Sequence, residues 1–135
     1  MTKTEFVRVG FMTAGLANIG GVLLATAAFT DPVVAQHNPA VFSNFGMSAI
    51  ILWGLAYIAV SGRYASVPWL IGVFVLEKAA YVITWLVWMS ANSGTLNGIY
   101  EQSFFAGLFY TIYGVNDLAF GVFFAWVFWQ TRREL

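Results

Sequence analysis

Four apolar stretches, each about as long as a helix that crosses a bilayer, dominate this sequence. They cover about residues 6–29, 41–60, 68–90 and 104–129. A helix needs about 20 apolar residues to cross a hydrocarbon core about 30 Å thick. Short breaks rich in turn-forming residues separate the stretches. The pattern predicts an all-α, polytopic membrane protein in contact with the lipid bilayer. Residues 1–135 would form a single domain, a four-transmembrane-helix bundle.

The scarcity of charged residues supports this class. Only 9% of the residues are charged and 60% are hydrophobic, whereas soluble domains carry about 25% charged residues. Six basic residues balance six acidic ones, so no basic face is available for a nucleic acid. The chain has no cysteine and one histidine, which excludes disulfides, thiolate metal sites and bis-histidine haem ligation within one chain. We therefore expect no metal and no cofactor.

The basic residues predict the orientation of the bundle. Lys3 and Arg8 flank the first stretch, Arg63 lies between the second and third, and Arg132 and Arg133 follow the fourth. The two loops on the opposite side contain no Lys or Arg. Because cytoplasmic loops are enriched in Lys and Arg, we expect both termini and the middle loop in the cytoplasm. The expected location is the inner (plasma) membrane of a bacterium.

Polar residues near the centre of three predicted helices are the candidates for function. Glu77 and Lys78 lie about nine residues into the third stretch, which is roughly 14 Å deep at about 1.5 Å per residue. Asp117 reaches a similar depth in the fourth stretch, next to Asn116, and Asn18 does so in the first. A charge at the bilayer centre costs at least about 2.5 kcal/mol. These residues therefore need a structural or functional reason to be there.

Helical spacing indicates where these side chains point. Several small or polar residues share one face of the fourth helix with Asp117: Gly107, Tyr110, Gly114 and Gly121. Because glycines let another backbone approach closely, we expect Asp117 in a contact between helices. Glu77 shares an inward stripe with Tyr81. Lys78 is rotated by about 100° from Glu77, and we expect its long side chain to extend toward the cytoplasmic end.

One interpretation of this polar layer is a site that binds a small or lipophilic molecule, a cation or a proton, with transport of the bound species as an additional hypothesis. In a low dielectric, a carboxyl group without a full partner can stay neutral at neutral pH. The site would contain the charged residues together with amides and tyrosines: Asn18, Glu77, Lys78, Tyr81, Tyr110, Tyr113, Asn116 and Asp117.

The alternative interpretation is structural. Lys78 would form a buried ion pair with Asp117 or Glu77 that sets the register of the helices. The chain would then be an accessory subunit of a membrane complex or a homo-oligomer. An enzyme is the least favoured class, because the sequence contains no metal-binding set and no nucleophile–base pair. No residue is therefore assigned a catalytic role.

Overall fold

Helices account for nearly all of the regular structure in this chain. The computed structural model describes residues 1–134, and it is all-α in that range. The helices follow in the order α1 (Lys3–Ala25), α2 (Val33–His37), α3 (Pro39–Phe42), α4 (Asn44–Val60), α5 (Pro68–Asn92), α6 (Leu96–Gln102) and α7 (Phe104–Arg132). Short 3₁₀ turns cover Tyr64–Ser66 and Ser93–Thr95.

Three helical segments are long and apolar enough to cross a membrane. They are Lys3–Ala25, Pro68–Gln102 and Phe104–Arg132, and α4 is a shorter apolar helix. The 17 residues of α4 extend over about 26 Å at about 1.5 Å per residue, slightly less than a typical hydrocarbon core. The fold therefore supports a multi-pass membrane protein with three long apolar helices and one shorter one.

The second predicted stretch, residues 41–60, is not one continuous helix. Ser43 has an extended ψ of 168°, which separates α3 from α4. The Ser43 hydroxyl accepts a hydrogen bond from the Gly46 N–H at 3.1 Å and so caps the first turn of α4. Apolar composition alone did not reveal this break, because a serine N-cap is compatible with a continuous apolar run.

The first helix also ends earlier than the apolar stretch predicts. Three consecutive residues after α1, Ala27, Ala28 and Phe29, have positive φ values of 46°, 54° and 68°. Thr26 supports this left-handed turn, since its hydroxyl accepts from the Phe29 N–H at 2.9 Å. Its backbone carbonyl accepts from the Asp31 N–H at 2.8 Å. The turn redirects the chain into α2.

The four longest helices pack as antiparallel neighbours. α1 lies against α4, where a Cβ added to Gly54 would be only 2.8 Å from the carbonyl oxygen of Gly15. α5 lies against α7, where Gly114 is covered by the indole of Trp85. The indole also donates to the Tyr110 carbonyl oxygen at 2.8 Å. These contacts require glycine, because a side chain at either position would separate the helices.

Two apolar clusters fill the bundle at different heights. We call the end where α1 begins and α7 ends the terminal side, and the end that carries α2, α3 and α6 the loop side. The terminal-side cluster includes Phe11, Tyr57, Phe74 and Phe124. The loop-side cluster is larger, with members that include Val22, Val34, Phe42, Met47, Trp88, Ile99, Tyr110 and Tyr113. The buried polar side chains Asn18, Glu77, Lys78 and Asp117 lie between these two clusters in the sequence of each helix.

Candidate functional site at the centre of the bundle

A buried ion pair joins α5 to α7. The ammonium nitrogen of Lys78 lies 2.7 Å from Oδ1 of Asp117, and only 1% of the Lys78 surface is exposed. The same ammonium donates to Oδ1 of Asn18 on α1 at 3.1 Å, and it lies 5.2 Å from the ring centre of Tyr57. The lysine side chain therefore ends at Asp117 and Asn18 inside the bundle and does not extend toward the predicted cytoplasmic end, contrary to expectation. Asp117 compensates the positive charge of Lys78 in the interior of the bundle.

Asn18 connects the ion pair to the fourth helix as well. Its side-chain oxygen accepts from Lys78, while its side-chain nitrogen donates to the backbone carbonyl of Ile50 on α4 at 3.1 Å. A carbonyl inside an α-helix already accepts from the residue four positions later, so it uses its second lone pair here. The close approach of α1 and α4 at Gly15 and Gly54 brings the two helices near enough for this bond.

The two acidic residues of this layer have different partners: Asp117 pairs with Lys78, whereas Glu77 pairs with Tyr57. The hydroxyl of Tyr57 on α4 donates to Oε2 of Glu77 on α5. Adjacent residues on a helix point about 100° apart, so Glu77 faces α4 while Lys78 faces α1 and α7. The two carboxyl groups of the layer thus have separate partners. The layer joins α1, α4, α5 and α7 through side chains.

A cavity of about 170 Å³ lies on the loop side of this polar layer. Its polar lining comes from the layer itself and from neighbouring residues: Asn18, Glu77, Lys78, Tyr81, Tyr113, Asn116 and Asp117. Its apolar walls come from α1, from α7 and from Phe42 and Ile50. The cavity therefore has a polar floor and apolar walls, which is the general construction of sites for small molecules.

The cavity lies between α1 and α7 and reaches the outer surface of the bundle. Three of its lining residues are strongly exposed there: Leu24 (59%), Phe105 (48%) and Ile112 (47%). A Cβ added at Gly21, another lining residue, would meet no atom within 4 Å. The terminal side of the same helix pair is closed instead, since the rings of Phe6 and Phe123 are 6.4 Å apart in an edge-to-face contact.

One lining residue carries an unsatisfied polar atom. Within residues 1–134, the buried hydroxyl of Tyr113 has no hydrogen-bond partner, and only 6% of the Tyr113 surface is exposed. A buried hydroxyl without a partner costs about 1–3 kcal/mol, so such groups are rare in native proteins. Asn116, also in the lining, donates weakly to Asp117 Oδ1 at 3.4 Å. Tyr113 therefore offers an available hydrogen-bonding group beside the cavity.

The structure brings together seven of the eight residues proposed from the sequence. The exception is Tyr110, which is fully buried in the loop-side cluster. Its hydroxyl donates to the Val34 carbonyl at 2.6 Å, and its ring stacks on that of Trp88 with 4.3 Å between centres. Tyr110 shares a helical face with Asp117, but it lies about two turns away. A common face does not imply a common depth.

Tyr57 is the residue of this layer that sequence reasoning did not assign to the site. It supplies the hydrogen bond to Glu77 and places its ring near the Lys78 ammonium. The only signal was its position well inside an apolar stretch, where a tyrosine hydroxyl needs a partner because water is absent. The predicted second helix had no other strong polar group at that depth, so the layer was expected from three helices instead of four.

The arrangement does not suggest a metal site. Within residues 1–134, no group of three or more His, Cys, Asp or Glu side chains is placed to hold a metal ion. The chemical groups available at the floor of the cavity are carboxyl, ammonium, amide and phenol groups, which bind ligands by hydrogen bonding and charge.

Comparison of this chain with protein-family models, with curated proteins and with solved structures finds no match.

Proposed function

We propose that this chain is a small multi-pass membrane protein that binds a small lipophilic molecule between α1 and α7. The observation that carries this proposal is the cavity of about 170 Å³ with apolar walls and a floor formed by Asn18, Glu77, Lys78 and Asp117. A cavity of about 150 Å³ in a protein core is known to hold a benzene molecule. A ligand with one ring and a short alkyl chain would fit, because the cavity also opens to the outer surface of the bundle, and its polar end would face the floor.

The ion pair alone does not account for these features. The contact of Lys78 with Asp117 needs no adjacent cavity, and a well-packed bundle would fill such a space with side chains. Nor does the pair explain why the Tyr113 hydroxyl lacks a partner. A ligand that enters from the lipid would fill the cavity and could bond to this hydroxyl. The ion pair then has a structural role as the floor of the site.

The packing on the terminal side supports binding over transport. A transporter needs access to its site from both sides of the membrane. Below the polar layer, Phe11, Phe74 and Phe124 are fully buried and contact one another, with ring centres 5.2–6.4 Å apart. Tyr57 joins the same cluster. We therefore place the movement of a molecule or a proton across the membrane second to simple binding.

The second candidate function is that of an accessory subunit in a membrane complex or a homo-oligomer. The favourable observation is that Lys78, Asp117 and Asn18 satisfy one another within one chain, as a structural ion pair would. Purification in mild detergent separates the two functions. Repeated recovery of a stoichiometric partner or of a stable oligomer would support the subunit function, while recovery of the chain as a monomer would favour ligand binding. For either function we propose a plasma-membrane location with both termini in the cytoplasm.

Photocrosslinking of the full chain in lipid nanodiscs tests the binding proposal. The probe is phenylbutanol that carries a diazirine, a neutral molecule with one ring and one hydroxyl. We expect saturable labelling of residues that line the cavity, such as Ile112 and Tyr113, and competition by unlabelled phenylbutanol. Labelling that does not saturate, or that maps only to the outer surface of the helices, would contradict the proposal.

Two neighbouring glycines provide a matched pair of variants. A Cβ at Gly20 or at Gly21 would meet no atom within 4 Å, but only Gly21 lines the cavity. Leucine favours a helix over glycine by up to about 1 kcal/mol, so both substitutions should leave the fold intact. We expect Gly21→Leu to abolish the saturable labelling because its side chain occupies the cavity. Gly20→Leu should label like the unmodified chain, and equal labelling of both variants would exclude this cavity as the site.

A further inference from the structure

Acidic residues outnumber basic residues in the lining of the cavity. Its lining contains one basic residue, Lys78, and two acidic residues, Glu77 and Asp117. No other charged side chain lines it in the part of the chain that the structure describes. When all three groups are ionised, the floor has one negative charge in excess. In a low dielectric, this excess charge interacts strongly with a charged ligand a few ångströms away.

Lys78 is poorly placed to bind an anionic ligand. Two of its three N–H donors are directed at Asp117 Oδ1 and Asn18 Oδ1, at 2.7 and 3.1 Å. Its side chain is almost completely buried. A ligand carboxylate would be the third acidic group around this single ammonium, and it would have to compete with Asp117. The floor therefore disfavours anions.

The remaining polar groups of the lining suit a hydrogen-bond donor. The Tyr113 hydroxyl has no partner within residues 1–134, and its oxygen can accept from an N–H group. The Asn116 side-chain nitrogen points to Asp117, which leaves its carbonyl oxygen to accept. Aromatic rings complete the walls, among them Phe42, Phe109 and Tyr81, and the faces of such rings attract cations.

We infer that the polar end of the ligand is a protonated amine, and that the natural ligand belongs to the class of small lipophilic amines. This inference rests on the proposed binding function and adds the chemical class. The ammonium would lie beside Tyr113 and Asn116 and would compensate the excess negative charge of the floor. The apolar part would lie between α1 and α7 and reach the lipid past Leu24 and Ile112.

Competition among three matched compounds tests the class of ligand. Phenylbutylamine, phenylbutanol and phenylbutanoate share one ring and one chain, and at neutral pH they are cationic, neutral and anionic. Each competes with the diazirine-bearing phenylbutanol for the full chain in nanodiscs of neutral lipid, so that the lipid does not concentrate either ion. We expect half-maximal competition by the amine at a concentration about tenfold below that of the alcohol, with the carboxylate weakest.

The outcomes separate this inference from the proposed function. If the alcohol or the carboxylate competes as well as the amine, the amine class is wrong while the cavity remains the binding site. If none of the three competes and labelling is unaffected by Gly21→Leu, the binding function itself fails.

In a second measurement, Glu77→Gln keeps an acceptor for Tyr57 but removes a carboxylate. We expect it to reduce the ratio of amine to alcohol affinity, and an unchanged ratio would contradict the role of the excess charge. Gly20→Leu serves as the control for both measurements.

Discussion

The ammonium nitrogen of Lys78 lies 2.7 Å from Oδ1 of Asp117 and 3.1 Å from Oδ1 of Asn18, so that one buried cation holds α1, α5 and α7 together. Asn18 extends this connection to α4 through the carbonyl of Ile50. The close contact of α1 with α4 at Gly15 and Gly54 lies beside the same network. A change in any of these contacts should therefore affect the packing of all four helices, α1, α4, α5 and α7.

Removal of only one partner of the ion pair should destabilise the protein more than removal of both. Lys78→Met leaves the buried carboxyl group of Asp117 without its cation, and such a loss costs about 3–5 kcal/mol. The double variant Lys78→Met/Asp117→Leu removes a complete pair, and well-packed apolar residues often replace a pair at little cost. The free energy of unfolding, measured by titration of mixed micelles with a denaturing detergent, checks this. A double variant as unstable as the sum of the single variants would refute it.

Contact between α1 and α4 should depend on Gly54. A Cβ at this position would lie 2.8 Å from the Gly15 carbonyl oxygen and 3.0 Å from the Asn18 Cβ. Leucine there would push α1 away from α4 and disturb the hydrogen bonds of Asn18, with a loss of about 1–3 kcal/mol in the free energy of unfolding. Gly20→Leu on the adjacent helix is the control, since a Cβ at Gly20 meets no atom within 4 Å. Equal stability of the two variants in the same detergent titration would show that the contact is unimportant.

Single-cysteine variants test the proposed orientation. The natural chain has no cysteine, so that one introduced thiol can be labelled without background. Ser66 and Ser93 are both exposed and lie in turns at opposite ends of α5. In intact bacterial cells, a maleimide that cannot cross the membrane should label Ser93→Cys but label Ser66→Cys only after permeabilisation. The opposite pattern would place both termini outside the cytoplasm.

Periodicity and composition predicted a large part of this structure. The apolar stretches indicated an all-α bundle because only a helix satisfies its own backbone hydrogen bonds in lipid. The common level of Asn18, Lys78 and Asp117 within the bundle followed from counting residues along regular helices. The break at Ser43 could not be predicted in the same way, since it depends on how the short helix α3 packs over the loop side.

The partners of the polar residues were decided by tertiary structure. The sequence left open whether Lys78 pairs with Asp117 or Glu77, and it left Tyr57 outside the site. Helical spacing gives the direction of a side chain, but not the residue that a neighbouring helix presents at that depth. Lys78 pairs with Asp117 because α7 lies on its side of α5, while α4 presents Tyr57 to Glu77.

The cavity illustrates most clearly which features the sequence determined and which depended on tertiary structure. The sequence by itself determined that polar groups would meet near the middle of the long helices, because their positions along each apolar stretch are set by a constant rise per residue. Whether a space would open beside them depended on the separation of α1 and α7. Those helices are in aromatic contact at Phe6 and Phe123 on the terminal side, and they enclose a cavity of about 170 Å³ near Gly21. Such a space is a property of several packed helices together, and no single stretch of sequence encodes it.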